Sequence, residues 1–300
     1  MNKTVLTVEK YWVILKRVIK MIQKSYDGSP TVYLIPTPIG NLDDITLRAI
    51  NILKEVEVIF SEDTRVTGLL LQYLGIKKKL IASHEHNEEE NTEKMLKYLK
   101  EGKSVGIVTD RGTPVISDPG YGLVKFAIEQ KYNVVGLPGP TALIPAIITS
   151  GISPSPFLFY GFLNSKDGKR MKELEQLKTQ TATMIFYESP HRLEKTLQNI
   201  KEVFGNRKIS ISREISKKYE EVIRGNIEDI LKEKINIKGE FVIIVEGNTE
   251  SVDYTQISIT EHVNVYIKEG KSVNDAIKAV AKDRGLSKKE IYNDYHQIKK

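Results

Sequence analysis

The sequence predicts an α/β protein: two α/β domains in succession, a ligand cleft between them, and a small helical module at the end. Three observations carry that expectation. From residue 31 onward, short β-branched or apolar runs alternate with helical patterns, the signature of a mostly parallel sheet covered by helices. A second set of runs starts near residue 155, beyond a Pro138-Gly139-Pro140 break, and 300 residues suit about two domains. Each of the five runs in the first set ends in a polar, Gly- or Pro-rich cluster, and open parallel sheets bind ligands beyond the carboxyl ends of their strands.

In chain order, residues 1–29 read as an N-terminal extension. Val8, Trp12, Leu15, Ile19 and Ile22 stand at helical spacing among Lys10, Arg17, Lys20 and Lys24, which predicts a short basic amphipathic helix. Asp27-Gly28-Ser29-Pro30 then breaks the chain. Residues 30–140 form the first domain, with strands expected at Thr31–Ile35, Val56–Phe60, Leu80–Ala82, Ser104–Val108 and Asn133–Leu137, and helices such as Thr46–Glu55 and Tyr121–Gln130. No GxGxxG follows the first strand, which argues against an ordinary dinucleotide fold. Residues 141–248 form the second domain, with strands at Phe157–Tyr160, Thr183–Tyr187, Lys208–Ser212 and Phe241–Val245 and a helix at Arg192–Val203. Residues 249–300 predict a helix-turn-helix-like tail, with helices at Ser272–Lys282 and Ser287–Gln297 around Asp283-Arg284-Gly285-Leu286.

Composition narrows the function classes. Hydrophobic residues make up 40% and charged residues 28%, as in globular proteins. The absence of cysteine removes disulfides and thiolate metal sites and fits a reducing compartment. The longest apolar run near the N-terminus, Tyr11 to Leu15, is far too short for a membrane span. The net charge is +6, but residues 1–24 alone hold six basic groups and one acid. The remainder is nearly neutral, so any nucleic-acid site must come from local patches. One such patch is the last twenty residues, with six basic and three acidic groups and Tyr292, Tyr295 and His296 interleaved. Lys288, Lys289 and Tyr292 there suit phosphate contact and base stacking.

Seven motifs occur in one order: Pro36 to Asn41, Glu62 to Arg65, His84 to Glu88, Ser117 to Gly120, Pro138 to Ala142, Glu188 to Arg192 and Gly239 to Gly247. Together they resemble the tetrapyrrole-methylase superfamily over roughly residues 21 to 300. Glu62-Asp63-Thr64-Arg65, His84-Glu85-His86-Asn87-Glu88 and Glu188-Ser189-Pro190-His191-Arg192 favour its ribosomal-RNA-modifying branch over corrinoid and sirohaem relatives. The resemblance implies S-adenosylmethionine as cofactor and methylation of the 2′-hydroxyl of a cytidine in 16S, the small-subunit ribosomal RNA. It also implies a cytoplasmic, often homodimeric enzyme whose partner is that RNA or the 30S subunit.

Carried over residue by residue, it places the cofactor against Pro38, Gly40, Asp110, Gly112, Thr113, Pro114, Thr141, Ala142, Phe186 and Tyr187, with Gly239 and Glu240 closing the pocket. Glycines admit a ligand to the backbone, prolines stiffen loops, and a carboxylate offsets the sulfonium charge. The chain departs from the pattern at Arg111, where the family usually has Ala, at Thr141 for Ser, and at Asn164 where Gly-Phe-Leu-Pro is usual. A guanidinium beside a cationic cofactor is repulsive. Strand alternation predicts that Arg111 points away from the face Asp110 presents.

Methyl transfer from a sulfonium needs no metal; orientation supplies much of the acceleration. A ribose hydroxyl is a weak nucleophile that a general base would assist, and Asp63, His86, Asp118 and Glu188 are the candidates at strand ends. For each, a purely structural role is the competing expectation. His84 and His86 lack a clear third ligand, so no metal is expected. Arg48, Arg65, Arg192, Arg213, Lys217 and Lys218 are the candidates for phosphate contact, with Arg65, Arg192 and Arg213 favoured by their place near strand ends. Two other readings remain open at this level: a methylase of a small tetrapyrrole or corrinoid, which would not need the tail, and a non-catalytic RNA-binding assembly protein, suggested by Arg111.

Overall fold

The computed structural model describes residues 22–25, 27–84, 87–249 and 257–296. The expected amphipathic helix of the N-terminal extension and His86 lie outside the described residues. The chain divides into two compact units at Glu246/Gly247.

The first unit contains two five-stranded sheets. In the first, β1 (Thr31–Leu34), β2 (Val58–Ser61), β3 (Lys79–Ala82), β4 (Val105–Val108) and β5 (Asn133–Gly136) are ordered β3-β2-β4-β1-β5 and all parallel. The helices α1 (Leu47–Glu55), α2 (Thr64–Tyr73), α3 (Glu88–Lys100) and α4 (Tyr121–Glu129) join them. Alternation along β2 sends Ile59 to a cluster with Ile35, Leu53 and Leu71, and Val58 and Phe60 to another with Met95, Leu99 and Leu123. Both sheet faces are therefore buried, which explains why these strands read as continuous apolar runs. β1 and β4 are neighbours at the centre although far apart in sequence, and a crevice opens beyond such a crossover point.

The second sheet comprises β6 (Phe157–Phe162), β7 (Thr183–Glu188), β8 (Lys208–Arg213), β9 (Glu221–Asn226) and β10 (Phe241–Val245), ordered β6-β7-β10-β8-β9. Only the β6–β7 pair is parallel; the other three pairs run antiparallel. The edge strand β9 was not anticipated. Its sequence, EVIRGN, leaves most positions half-buried or exposed, so it lacks the apolar run that marks a central strand. Around the sheet lie α5 (Leu143–Thr149), α6 (Asp167–Leu177), α7 (Leu193–Phe204) and α8 (Ile227–Ile230). One face, built on Met184, Phe186, Ile211 and Ile243, packs against Leu174, Leu197 and Ile200. The other, built on Ile185, Val242 and Ile244, packs against Ala146 and Ile147 of α5 and carries Tyr187.

The second unit holds α9 (Ile259–Lys268), α10 (Val273–Arg284) and α11 (Lys288–Tyr295). The first of these helices was not anticipated. Ser258, Ser272 and Ser287 cap the three N-termini, with capping boxes completed by Glu261 and Glu290. Val263, Ile277, Val280 and Ile291 form a small core, and Gly285, at φ 63°, ends α10 in the left-handed conformation.

Candidate active site

Loops beyond the carboxyl ends of β1, β4 and β5 meet in the first unit. Thr37 and Gly112 exchange backbone hydrogen bonds of 2.9 and 3.0 Å, and the Thr113 hydroxyl donates to the carbonyl of Pro140 at 3.0 Å. Gly112 has φ 85°, and a Cβ there would lie 3.2 Å from Ile39 and 3.7 Å from the Pro140 carbonyl oxygen. The loop that follows is strained: Val115 and Ser117 have φ of 77° and 63°. A β-branched residue in that region is a real outlier, costing on the order of 1–3 kcal/mol. The loop is held at its far end by Glu88, whose carboxylate accepts from the backbone N–H groups of Gly120 and Gly122 at the start of α4.

These loops face the second sheet across a cavity of about 600 Å³, within the usual range for small-molecule sites. Gly112, Thr113, Ile116, Ser117, Thr141 and Ala142 line one side; Phe162, Tyr187, Pro190, Ile215, Glu240 and Val242 line the other.

Three carboxylates, Glu62, Asp110 and Asp118, edge this cavity. The Glu62 carboxylate accepts from the Thr109 hydroxyl at 2.7 Å, and Asp110 accepts from the backbone N–H of Asp63 at 3.0 Å. Burial, then repulsion from Glu62 and Asp110, pushes the Asp118 carboxyl up to about 6, against an opposing hydrogen bond from Thr109. Burial also raises Asp110 and the Tyr187 phenol. An acid near 6 beside two more carboxylates can hold a cation and accept a proton near neutral pH. Among the described residues, no three His, Asp or Glu side chains are grouped to hold a metal ion.

Arg111 does not turn away, as strand alternation predicts. It lies beyond the end of β4, where alternation no longer applies, and it lines the cavity. Its Nη1 donates to Glu240 Oε1 on the opposite wall at 2.6 Å. Glu240 also accepts from Lys217 at 2.6 Å, and Lys217 donates to Glu214 at 2.8 Å. The guanidinium is thus neutralised by a carboxylate across the cleft.

Other expected site residues divide. Gly112, Thr113, Asp110, Thr141, Ala142, Tyr187, Glu240, Asp118 and Glu188 line the cavity; Pro38, Gly40, Pro114 and Gly239 are not among its lining residues. The Phe186 ring is a correction: it is fully buried in the opposite core, because neighbouring strand residues face opposite ways. Gly40 and Gly239 make room for protein rather than ligand, since a Cβ at Gly40 would strike Lys217 and one at Gly239 would strike Glu214.

Asp63 caps α2 and grips Arg65, whose hydrogen bonds hold its carboxyl down to about 2, which makes it a poor base. The buried Glu188 carboxylate accepts from Ser189 N–H at 2.7 Å and the Thr196 hydroxyl at 2.6 Å. Arg192 donates to the Leu163 carbonyl at 2.6 Å, and Arg213 to Glu221 at 2.9 Å; both are turned into the protein. Arg65 remains exposed. Lys288, Lys289 and Tyr292 are exposed on α11, with Tyr292 and His296 rings 4.4 Å apart. Glu62, Ser117, Ile215, Val242 and Phe162 also form the walls and were not anticipated. Glu62, Ser117 and Val242 sit inside quoted motifs, and Phe162 in the stretch compared with Gly-Phe-Leu-Pro.

A parallel sheet, a mixed sheet and a cleft walled by both define a methylase architecture. The family profile described as Tetrapyrrole (Corrin/Porphyrin) Methylases matches residues 31–231. Two solved structures share the fold: uroporphyrin-III-C-methyltransferase from Thermus thermophilus (TM-score 0.52, 19% identity, 72% of this chain and 94% of that one) and a putative diphthine synthase from Entamoeba histolytica (TM-score 0.54, 13% identity, 74% and 94%). Closer in sequence are proteins named ribosomal RNA small subunit methyltransferase I. The Bacillus subtilis protein is 46% identical over 285 residues (91% of this chain, 98% of that protein), and the Micromonospora olivasterospora protein 38% identical over 269 (88% and 86%). The chain belongs to the ribosomal RNA small subunit methyltransferase I family of tetrapyrrole methylases.

Proposed function

We propose that this protein transfers the methyl group of S-adenosylmethionine to the ribose 2′-hydroxyl of a cytidine in small-subunit ribosomal RNA. The observation that carries this reading is 46% identity over nearly the whole chain to proteins named for that RNA. The cleft suits the cofactor. The Gly112 cradle would be filled by a Cβ, apolar walls at Ile215 and Val242 suit a nucleoside, and three carboxylates suit a sulfonium.

When bound, the cofactor supplies an electrophilic methyl carbon. Gly112, Thr113, Thr141 and Ala142 would hold it, and Asp118 would act on the other reactant. Its carboxylate would take the proton of the 2′-hydroxyl as the ribose oxygen becomes the nucleophile, and the bound cofactor would supply the methyl group and retain the electron pair of the bond given up. Asp118, with its carboxyl near 6, is largely ionised at neutral pH and so available as base. Lys288, Lys289 and Tyr292 on α11 and Arg65 on α2 are the proposed RNA contacts. The reading carries a cytoplasmic location and a homodimer; sedimentation of the purified protein tests the latter. Among the described residues no helix is long and apolar enough to cross a membrane.

The experiment is to incubate the protein with methyl-labelled S-adenosylmethionine and small subunits lacking the modification. Label in RNA, at a nucleotide that resists alkaline cleavage, is the expected result. Label on a base, or only on an added tetrapyrrole, overturns it.

A further inference from the structure

Strand β6 contains a register shift. Phe159 pairs with Ile185 of β7, but Gly161 pairs with the next residue, Phe186, leaving Tyr160 bulged out of the ladder. Bulges re-aim side chains and gather beside functional sites. Here the effect can be followed ring by ring. Strict alternation from Phe159 would put residue 161 on the same face and Phe162 on the other. The extra residue reverses that. Phe159 and Phe162 both lie edge-on to Tyr187, with centroids 4.9 and 5.6 Å away, while the Tyr160 ring goes to Phe186 on the far side.

The shift depends on Gly161, at φ 82°, where a Cβ would come within 3.1 Å of the Ser117 hydroxyl. Phe162 is thereby brought to the cleft wall, on a strand that abuts the loop carrying Asp118. It is not packed away there: 52% of its surface is open to solvent, a costly placement for an apolar ring without a partner. Tyr187 supports it from the side, and Pro190 lines the wall nearby.

We propose that Phe162 is the platform on which the target nucleobase stacks when its ribose enters the cleft, an inference that rests on the RNA-methylation reading above. A base has a neutral π face that stacks on an aromatic ring. A phosphate, in contrast, would be repelled by the carboxylates of Glu62, Asp110 and Asp118 along this cleft. Stacking the base on Phe162 turns its ribose toward the cavity that holds Asp118.

Four full-length variants test it: Phe162→Ala, Phe162→Leu, Phe162→Tyr and Phe162→Trp. Each is assayed for kcat/KM on unmodified small subunits, and for S-adenosylmethionine affinity by calorimetry. The alanine and leucine variants should lose about ten- to a hundredfold in kcat/KM, as loss of one stacked base implies. The tyrosine and tryptophan variants should stay within about threefold of the parent. Cofactor affinity should be unchanged throughout. An active parent with an equally active alanine or leucine variant overturns the platform, as does a parallel loss of cofactor affinity. A parent that labels no RNA overturns the methylation reading instead, and the platform with it.

Discussion

Arg111 and Glu240 meet across the cleft, Nη1 to Oε1 at 2.6 Å, joining the loop after β4 to the residue before β10. Their side chains are 56% and 60% exposed, so the pair contributes at most about 1 kcal/mol. Its consequence is electrostatic. A guanidinium that would repel a sulfonium is cancelled by a carboxylate that Lys217 shares. Arg111→Ala should therefore leave S-adenosylmethionine affinity within a few-fold and the melting temperature nearly unchanged. Calorimetric affinity a hundredfold tighter than the parent's would mean that Arg111 obstructs the pocket.

Asp118 is predicted to set a pH dependence. Its folded carboxyl, near 6, lies above the ordinary value of 3.8. Protonation is thus favoured by folding, and stability falls as pH rises from about 4 through 6. If Asp118 is the base, as proposed, methyl transfer should have the opposite sign, rising through pH 6 as its carboxyl ionises. Asp118→Asn should remove that rise, lower kcat at least about a hundredfold, and melt higher than the parent at neutral pH. A variant with the parent's pH–rate profile would exclude Asp118 as the base.

Gly112→Val places a β-branched residue at φ 85° and a Cβ against Ile39. We expect cofactor affinity to fall at least about tenfold and stability by on the order of 1–3 kcal/mol. Titration with S-adenosylmethionine and thermal melting read the two effects separately, and unchanged affinity would remove this loop from the cofactor site.

Glu188 is predicted to act on the fold rather than on the chemistry. Glu188→Ala removes the carboxylate partner of Arg192, which keeps its bond to the Leu163 carbonyl, and the acceptor of the buried Thr196 hydroxyl, a loss of roughly 1–3 kcal/mol. The properly folded fraction should keep the parent's pH–rate profile. A changed profile without loss of stability would return Glu188 to the list of bases.

Lys288 and Lys289 should contribute to RNA affinity through phosphate. Replacing both with alanine should flatten the dependence of log affinity on log salt by about 0.7 per lysine for single-stranded RNA. An unchanged slope would leave α11 as a stabilising element alone.

Sequence alone determined the strand order along the chain in the first sheet, because parallel strands buried on both faces are apolar runs with no competing pattern. Val58, Ile59 and Phe60 advertise their strand whichever side they face. It also located the loops of the cleft, since Gly112, Pro114 and Pro140 answer to local backbone geometry. It did not reveal β9, whose stability comes from one neighbouring strand rather than from its own composition, nor α9, whose β-branched residues dilute the helical pattern.

Side-chain roles belonged to tertiary structure. Arg192 and Arg213 read as candidate phosphate contacts, but partners distant in sequence and near in space, Leu163 and Lys238, take their hydrogen bonds. Asp63 and Asp118 are the same residue type at similar strand-end positions; Arg65 holds one down to about 2, while burial beside Glu62 pushes the other up to about 6. Phe162 faces the cleft only because one bulged residue reverses the alternation of its strand. Charge pairing, burial and register are relations between segments, and a linear pattern does not contain the distances on which they depend.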